Sequence, residues 1–257
     1  MDPAYFITTY LAIFSLILFG YYLIPAGLSY FVFYVWKKEE WKSFHIQKNH
    51  PTRKSISREI RWSLVCVVIL ALLSQLLYEL NIKGYTRMYD SVGDFGWVYL
   101  IGSSLFTIIA YDTYFYWLHR FMHLKSVFPI IHKTHHLSHA PSPFATLAFS
   151  PLESALEFAI IPILVFLIPL HPIALGVFVA YNIILNTGGH LGFEIIPIKL
   201  YSHPVMKLSL TVTHHEMHHS KTHCNYGIYF NLWDRIMKTN HPDYEKTYLR
   251  TQEEKSL

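Results

Sequence analysis

A chain of 257 residues that is 52% hydrophobic and 17% aromatic but only 15% charged falls well short of the roughly 25% charged residues of ordinary soluble domains. That deficit argues for a membrane protein. The formal net charge of +4 fits an excess of Lys and Arg in cytoplasmic loops better than a nucleic-acid surface, and the two cysteines, Cys66 and Cys224, make no disulfide scaffold.

In chain order, Tyr5 to Trp36 is nearly all apolar. A spanning helix needs about 20 residues, so this stretch predicts one long tilted span, or one kinked at Pro25 and Gly27. It has no basic leader and no small-residue cleavage site, so it reads as a retained segment. Lys37 to Arg61 is a solvated loop whose Lys and Arg residues place it in the cytoplasm. Trp62 to Leu80 is a second span, with Cys66 a small buried hydrophobe. Asn81 to Asp94 is a short far-side loop, and Phe95 to Leu118 returns to the first side. Leu152 to Asn186 is too long for one span and is broken by Pro169 to Pro172 (PLHP), which predicts a helical hairpin with short halves. Tyr201 to Leu257 is mostly polar. The expectation is an all-α integral membrane bundle of about four to five spans: residues 1–94 a transmembrane region, 95–240 a second region with a cytoplasmic helical cap, and 241–257 a tail.

Histidines concentrate at one edge of this layout. His119 and His123 are four residues apart; His132, His135 and His136 read H-x-x-H-H; His215, His218 and His219 repeat that spacing; His190 follows the hairpin. Residues three or four apart share a helix face, so each box can aim imidazoles at one point. One such histidine alone reads as an interfacial or loop residue. Nine at ligand spacing, all falling on one side of the predicted spans, point to metal, because a structural zinc needs only about four ligands. The set is sufficient for two ions with positions left open for chemistry. Asp112, Glu216 and Asp234 are the acids nearest the boxes and the candidates to receive the rings' second N–H; read singly, each is an ordinary polar residue at a helix end. His139, His214 and His223 are further candidates for that outer layer. His45, His50, His171, His203 and His241 read as solvated or interfacial.

The motifs YDTYFYWLHRFMH, HKTHH, PSPFATLAFSP and HHEMHH…NYGIYFNLWDR resemble the fatty acid hydroxylase/sterol desaturase superfamily over Phe95 to Thr239, and within it most resemble sterol C5-desaturases. The resemblance implies a membrane-bound non-haem di-iron oxidoreductase that uses O2 to desaturate or hydroxylate a lipid, sterol favoured over a fatty acyl chain or carotenoid. Electrons would come from NAD(P)H through a separate carrier, cytochrome b5 or a ferredoxin with its reductase. The membrane would be endoplasmic reticulum in a eukaryote or the inner membrane in a bacterium, with the metals on the cytoplasmic side. The implied ligands are His119, His123, His132, His135, His136, His190, His215, His218 and His219; no catalytic group beyond them is implied. Asn186, one turn before His190, is a candidate partner of a metal-bound water. The chain departs from its relatives at WDRIMKT, where Lys238 stands near a usual glycine, a change expected to affect a turn.

Two rivals remain. His215-Glu216-Met217-His218-His219 satisfies H-E-x-x-H, the zinc metalloprotease motif, but that leaves the other boxes unexplained. A metal transporter would place its ligands within the spans, and these lie outside the apolar runs.

Overall fold

The structure, a computed structural model, describes residues 2–204 and 206–253. They form helices joined by short loops, with two isolated β-bridges and no strand among them. Four helices are long and apolar enough to cross a membrane: α1 (Pro3–Trp36), α2 (Arg53–Ile82), α3 (Gly96–Met122) and α7 (Pro172–Gly189). Their outer faces carry large exposed apolar side chains, such as Leu16, Leu72, Val98 and Ile184. Lipid tails are the environment in which that surface costs nothing, and helices are the elements that satisfy their own backbone there.

Helix α1 is one span, as expected, but Pro25 does not break it. Proline lacks an N–H and crowds the preceding turn. The helix absorbs this by widening into π-type turns over Leu16–Leu23, with Ile24 N–H bonding back to Phe19 O, and it widens again over Phe31–Trp36. Helix α2 starts at Arg53, capped by the Thr52 side chain, nine residues before the expected start at Trp62. Much of the presumed loop is therefore helical. The rest of that loop is not fully solvated. Gln47 is buried, and Ile46 N–H bonds Gly192 O at 3.1 Å. Gly192 has φ +77, and a Cβ there would stand 2.6 Å from Tyr34 Oη and 2.8 Å from the Gln47 amide, so only glycine fits.

The hairpin breaks where PLHP predicts. Its first arm is two short helices, α5 (Pro151–Phe158) and α6 (Ile160–Leu167). The second arm, α7, begins with Pro172 at its first position and His171 as N-cap, and is long enough to span. His171 is buried, not solvated: it accepts from Ile173 N–H and its Nε2 bonds Asp90 O at 2.9 Å. Leu100, Ile108, Phe115, Leu164, Ala174 and Phe178 form the core between α3, α6 and α7. A second core joins Tyr22, Cys66, Val67 and Phe149.

Six short elements gather at the end of the bundle where α1, α3 and α7 finish and α2 begins. They are the single turn α4 (Lys133–His136), a 3-10 turn Pro143–Leu147, α8 (Ile198–Tyr201), α9 (Val212–Lys221), α10 (Leu232–Ile236) and α11 (Tyr244–Glu253). The 3-10 turn is tied to α2: Ser63 Oγ donates to Phe144 O at 3.0 Å, and Ser142 Oγ donates to the buried Glu59 carboxylate at 2.5 Å.

Candidate metal centre

All nine histidines converge at that end, in two clusters. His119, His123, His132, His136 and His218 bring one ring nitrogen each within 4.8 Å of one another, and His135, His190, His215 and His219 do the same. The elements that deliver them are the last turn of α3, the turn α4 with the residue before it, the end of α7, and α9. The H-x-x-H-H boxes each serve both clusters. Neighbours on a helix point about 100° apart while residues i and i+4 point together. So His132 and His136 enter the first cluster and His135 the second, whereas His215 and His219 enter the second and His218 the first. The paired rings His135/His136 and His218/His219 stand at 89° and 81° to each other.

The ring chemistry fits metal binding. His119 Nδ1–H donates to Tyr226 O at 2.8 Å, His218 Nδ1–H to Cys224 O at 2.7 Å, and His190 Nδ1–H to Asn186 O at 2.8 Å. His132 Nδ1–H donates to Glu153 Oε1 at 2.5 Å. A carbonyl oxygen only accepts, so Nδ1 carries the hydrogen and Nε2 presents a bare lone pair. Yet Nε2 of His119 and His132 stand 2.9 Å apart, those of His132 and His136 3.1 Å, and those of His136 and His218 3.0 Å. In the second cluster His135–His190, His190–His215 and His215–His219 stand at 3.3, 3.1 and 3.2 Å.

Between His119 and His132, whose Nδ1–H groups are both committed elsewhere, two lone pairs face each other, and these repel unless a cation lies between them. Protons do not supply it. Burial, reinforced by the neighbouring rings, holds the pKa values of His132, His135, His136, His215 and His219 well below the ordinary imidazole value. Burial likewise lowers His190 and His218 to about 4. Neutral, buried, convergent imidazoles fit first-row metal ions.

The outer layer differs from the expected one. Asp112 does not touch a ring; it accepts from Tyr229 and Phe230 N–H at 3.0 and 3.1 Å. Asp234 accepts from Tyr226 and Gly227 N–H at 2.9 and 2.8 Å, and so positions the carbonyl that receives His119. Glu216 accepts from Gln47 Nε2 at 3.1 Å, and burial pushes its pKa up to about 8. The carboxylate that does bond a clustered ring is Glu153, which sequence reasoning passed over. Its signal was local: Ser150-Pro-Leu-Glu153 is a capping box, and both of its bonds form. Of the three nearby histidines, His214 is buried, with Nε2 3.0 Å from Asn240 Oδ1 and 3.5 Å from Asp234 Oδ2. His139 and His223 are exposed. Cys224 contributes its carbonyl. Asn186 contributes its carbonyl too, while its side chain donates to Thr146 O at 3.3 Å.

A cavity of about 560 Å³ abuts the second cluster. Phe149 lines it and packs on His135 with ring centroids 5.0 Å apart, and Asn186 lines it beside His190. From there it runs between α1, α2 and α7 past Ile17, Leu70 and Val179 to Asn81 and Met88. The fifteen helical steps of α2 from Cys66 to Asn81 give it a length of about 22 Å.

Residues 104–239 match the family model "Fatty acid hydroxylase". The chain belongs to the fatty acid hydroxylase family. Its members most similar in sequence include the lathosterol oxidase of Rattus norvegicus, 34% identical over 220 residues, which cover 84% of this chain and 69% of the relative. The lathosterol oxidase of Homo sapiens is 33% identical over 75% of this chain and 64% of its own length. The Delta(7)-sterol 5(6)-desaturase ERG3B of Gibberella zeae is 26% identical over 92% of this chain and 71% of its own. No solved structure matches. As a fatty acid hydroxylase family member similar to sterol desaturases over most of its length, this all-helical membrane protein is an oxidoreductase.

Proposed function

We propose that this chain is a di-iron, O2-dependent enzyme that desaturates or hydroxylates a membrane lipid, a sterol in preference to a fatty acyl chain or carotenoid. The observation that supports it most is the contact between a cluster of convergent ring nitrogens and a long apolar cavity, made through Phe149 and Asn186. The similarity to lathosterol oxidases favours the sterol. In this reading His119, His123, His132, His136 and His218 hold one iron, and His135, His190, His215 and His219 the other. Bound iron with O2 supplies the power to oxidise an unactivated C–H bond, which side-chain acid–base chemistry cannot break.

The protein's own residues do the rest. Glu153 and the carbonyls of Tyr226, Asn186 and Cys224 fix the ring tautomers and orientations. The apolar walls hold the lipid and exclude water. Residues 95–240 form the proposed catalytic domain and residues 1–94 supply one cavity wall, with 241–257 as the tail. Electrons come from NAD(P)H through a separate carrier, cytochrome b5 or a ferredoxin, to a metal site on the cytoplasmic side. The membrane is endoplasmic reticulum in a eukaryotic cell or the inner membrane in a bacterium.

The metalloprotease reading needs Glu216 ionised beside one zinc. Burial raises the Glu216 pKa to about 8, which works against that, and the hydrogen bond donated by Gln47 offsets only part of the cost. Lipid profiling of cells with and without the protein, alongside His135→Ala, tests the proposal. An oxidised lipid should appear only with the unaltered protein, and the purified chain should carry two irons. An unchanged lipid profile from folded protein, or one zinc per chain, overturns it.

A further inference from the structure

The cavity contains one polar group that the fold leaves without a partner. Glu157, on α5, lines the cavity and is 9% exposed, and its Oε1 is buried with no hydrogen-bond partner among the described residues. The other polar side chains at that end are engaged. Tyr21 donates to Asn182, Asn182 donates to Tyr229 Oη at 2.5 Å, Ser154 donates to Ser150 O at 3.0 Å, and Asn186 donates to Thr146 O at 3.3 Å.

No Lys, Arg or His lines the cavity to offset a negative charge. An isolated carboxylate in such a wall is very costly, and even a neutral carboxyl costs a few kcal/mol when unpaired. A leucine here would serve the fold better. A group that weakens the empty protein is explained if a ligand completes it.

We propose that the Glu157 carboxyl is the anchor for a hydroxyl group of the lipid that occupies this cavity. An uncharged carboxyl both donates and accepts, as does an alcohol, so one pair of groups satisfies both. The position of the anchor also sets where the lipid reacts. Glu157 lies one helical turn from Glu153, which bonds His132, while Asn81, at the far end of the cavity, lies about 22 Å along α2 from Cys66 at the metal end. The hydroxylated end of the lipid therefore lies at the metal end and its hydrocarbon tail runs toward Asn81. Oxidation falls on a carbon within a few bonds of the hydroxyl, not at the tail. This orientation rests on the oxidoreductase reading above; the anchor itself does not.

The test is binding to the full-length chain in detergent, using a sterol with a free 3-hydroxyl and the same sterol with that hydroxyl replaced by hydrogen. The unaltered protein should prefer the alcohol by about 5- to 30-fold, the range of one or two kcal/mol. Glu157→Gln, which still donates and accepts, should keep most of that preference. Glu157→Met and Glu157→Leu should lose it, bind the deoxy sterol as before, and melt at a higher temperature than the unaltered protein when ligand-free.

Preference retained in both apolar variants, or equal binding of the two sterols by the unaltered protein, overturns the anchor. Binding of neither sterol overturns the anchor and the sterol reading together. Loss of preference in the apolar variants, with no lipid oxidised by the unaltered protein in cells, leaves the anchor standing and removes the proposed lipid oxidation alone.

Discussion

Glu153 Oε1 stands 2.5 Å from His132 Nδ1, and the two side chains are 0% and 2% exposed. The carboxylate is held by the capping box at the start of α5, so the first turn of one helix orients a ring on the neighbouring turn α4. Removing such an outer partner weakens metal binding about 10- to 100-fold. Glu153→Leu should therefore lower iron affinity by that factor in a competition titration, while Glu153→Gln, whose amide oxygen still accepts, should lose less. Unchanged affinity in the leucine variant would show that the pair is only structural.

His135 and His136 are adjacent in the chain and belong to different clusters. His135→Ala should cost the purified protein one metal ion of two, His136→Ala the other, and the double variant both. Metal analysis per chain decides it. A single substitution that empties both sites would mean that they assemble only together, and one that empties neither would remove that ring from the ligand set.

Acid should destabilise the metal-free protein. Burial lowers the His190 and His218 rings to about 4, against about 6.5 in an unfolded chain. Below pH 6.5 the unfolded state binds protons that the folded state refuses. The stability these neutral rings confer is therefore whole above pH 6.5 and is lost progressively as pH falls toward 4. Denaturant midpoints of chelated protein should drop steadily from pH 7 to pH 5. A midpoint that holds or rises on acidification would show that the rings are not buried neutral. Bound iron, which also needs them neutral, should sharpen the loss.

Lys238 occupies a left-handed backbone conformation, φ +56, after α10, with its side chain exposed. That conformation costs a non-glycine residue about 1–2 kcal/mol, and the family resemblance places a glycine near this position. Lys238→Gly should raise stability by up to about 1 kcal/mol and leave metal content unchanged, as read from thermal unfolding and metal analysis. A lower melting temperature would show that the lysine side chain contributes more than the backbone strain removes.

Much of this molecule could be read before any coordinates. Apolar runs longer than a bilayer is thick locate the spans, because no other environment accepts them. PLHP locates the break in the hairpin, because proline is tolerated at the first turn of a helix and not inside one. The histidine spacing picks out the nine rings, because helical periodicity is a local property of the chain.

Other features depend on partners distant in sequence, and no local pattern carries them. The burial of Gln47 depends on Pro141, Gly192 and Glu216, roughly 90 to 170 positions away. Asp112 looked like a metal partner because an acid near the end of a span needs a reason; the reason was two backbone N–H groups more than a hundred residues on.

The sequence by itself determined that this is a helical membrane protein carrying nine histidines at ligand spacing, since composition and periodicity need no long-range contact. Only the tertiary structure decided that the rings divide five and four, that Glu153 is the acid which orients one of them, and that the cavity leads to the smaller group. Those depend on how α3, α4, α7 and α9 pack, and packing is a property of side chains meeting across the whole chain.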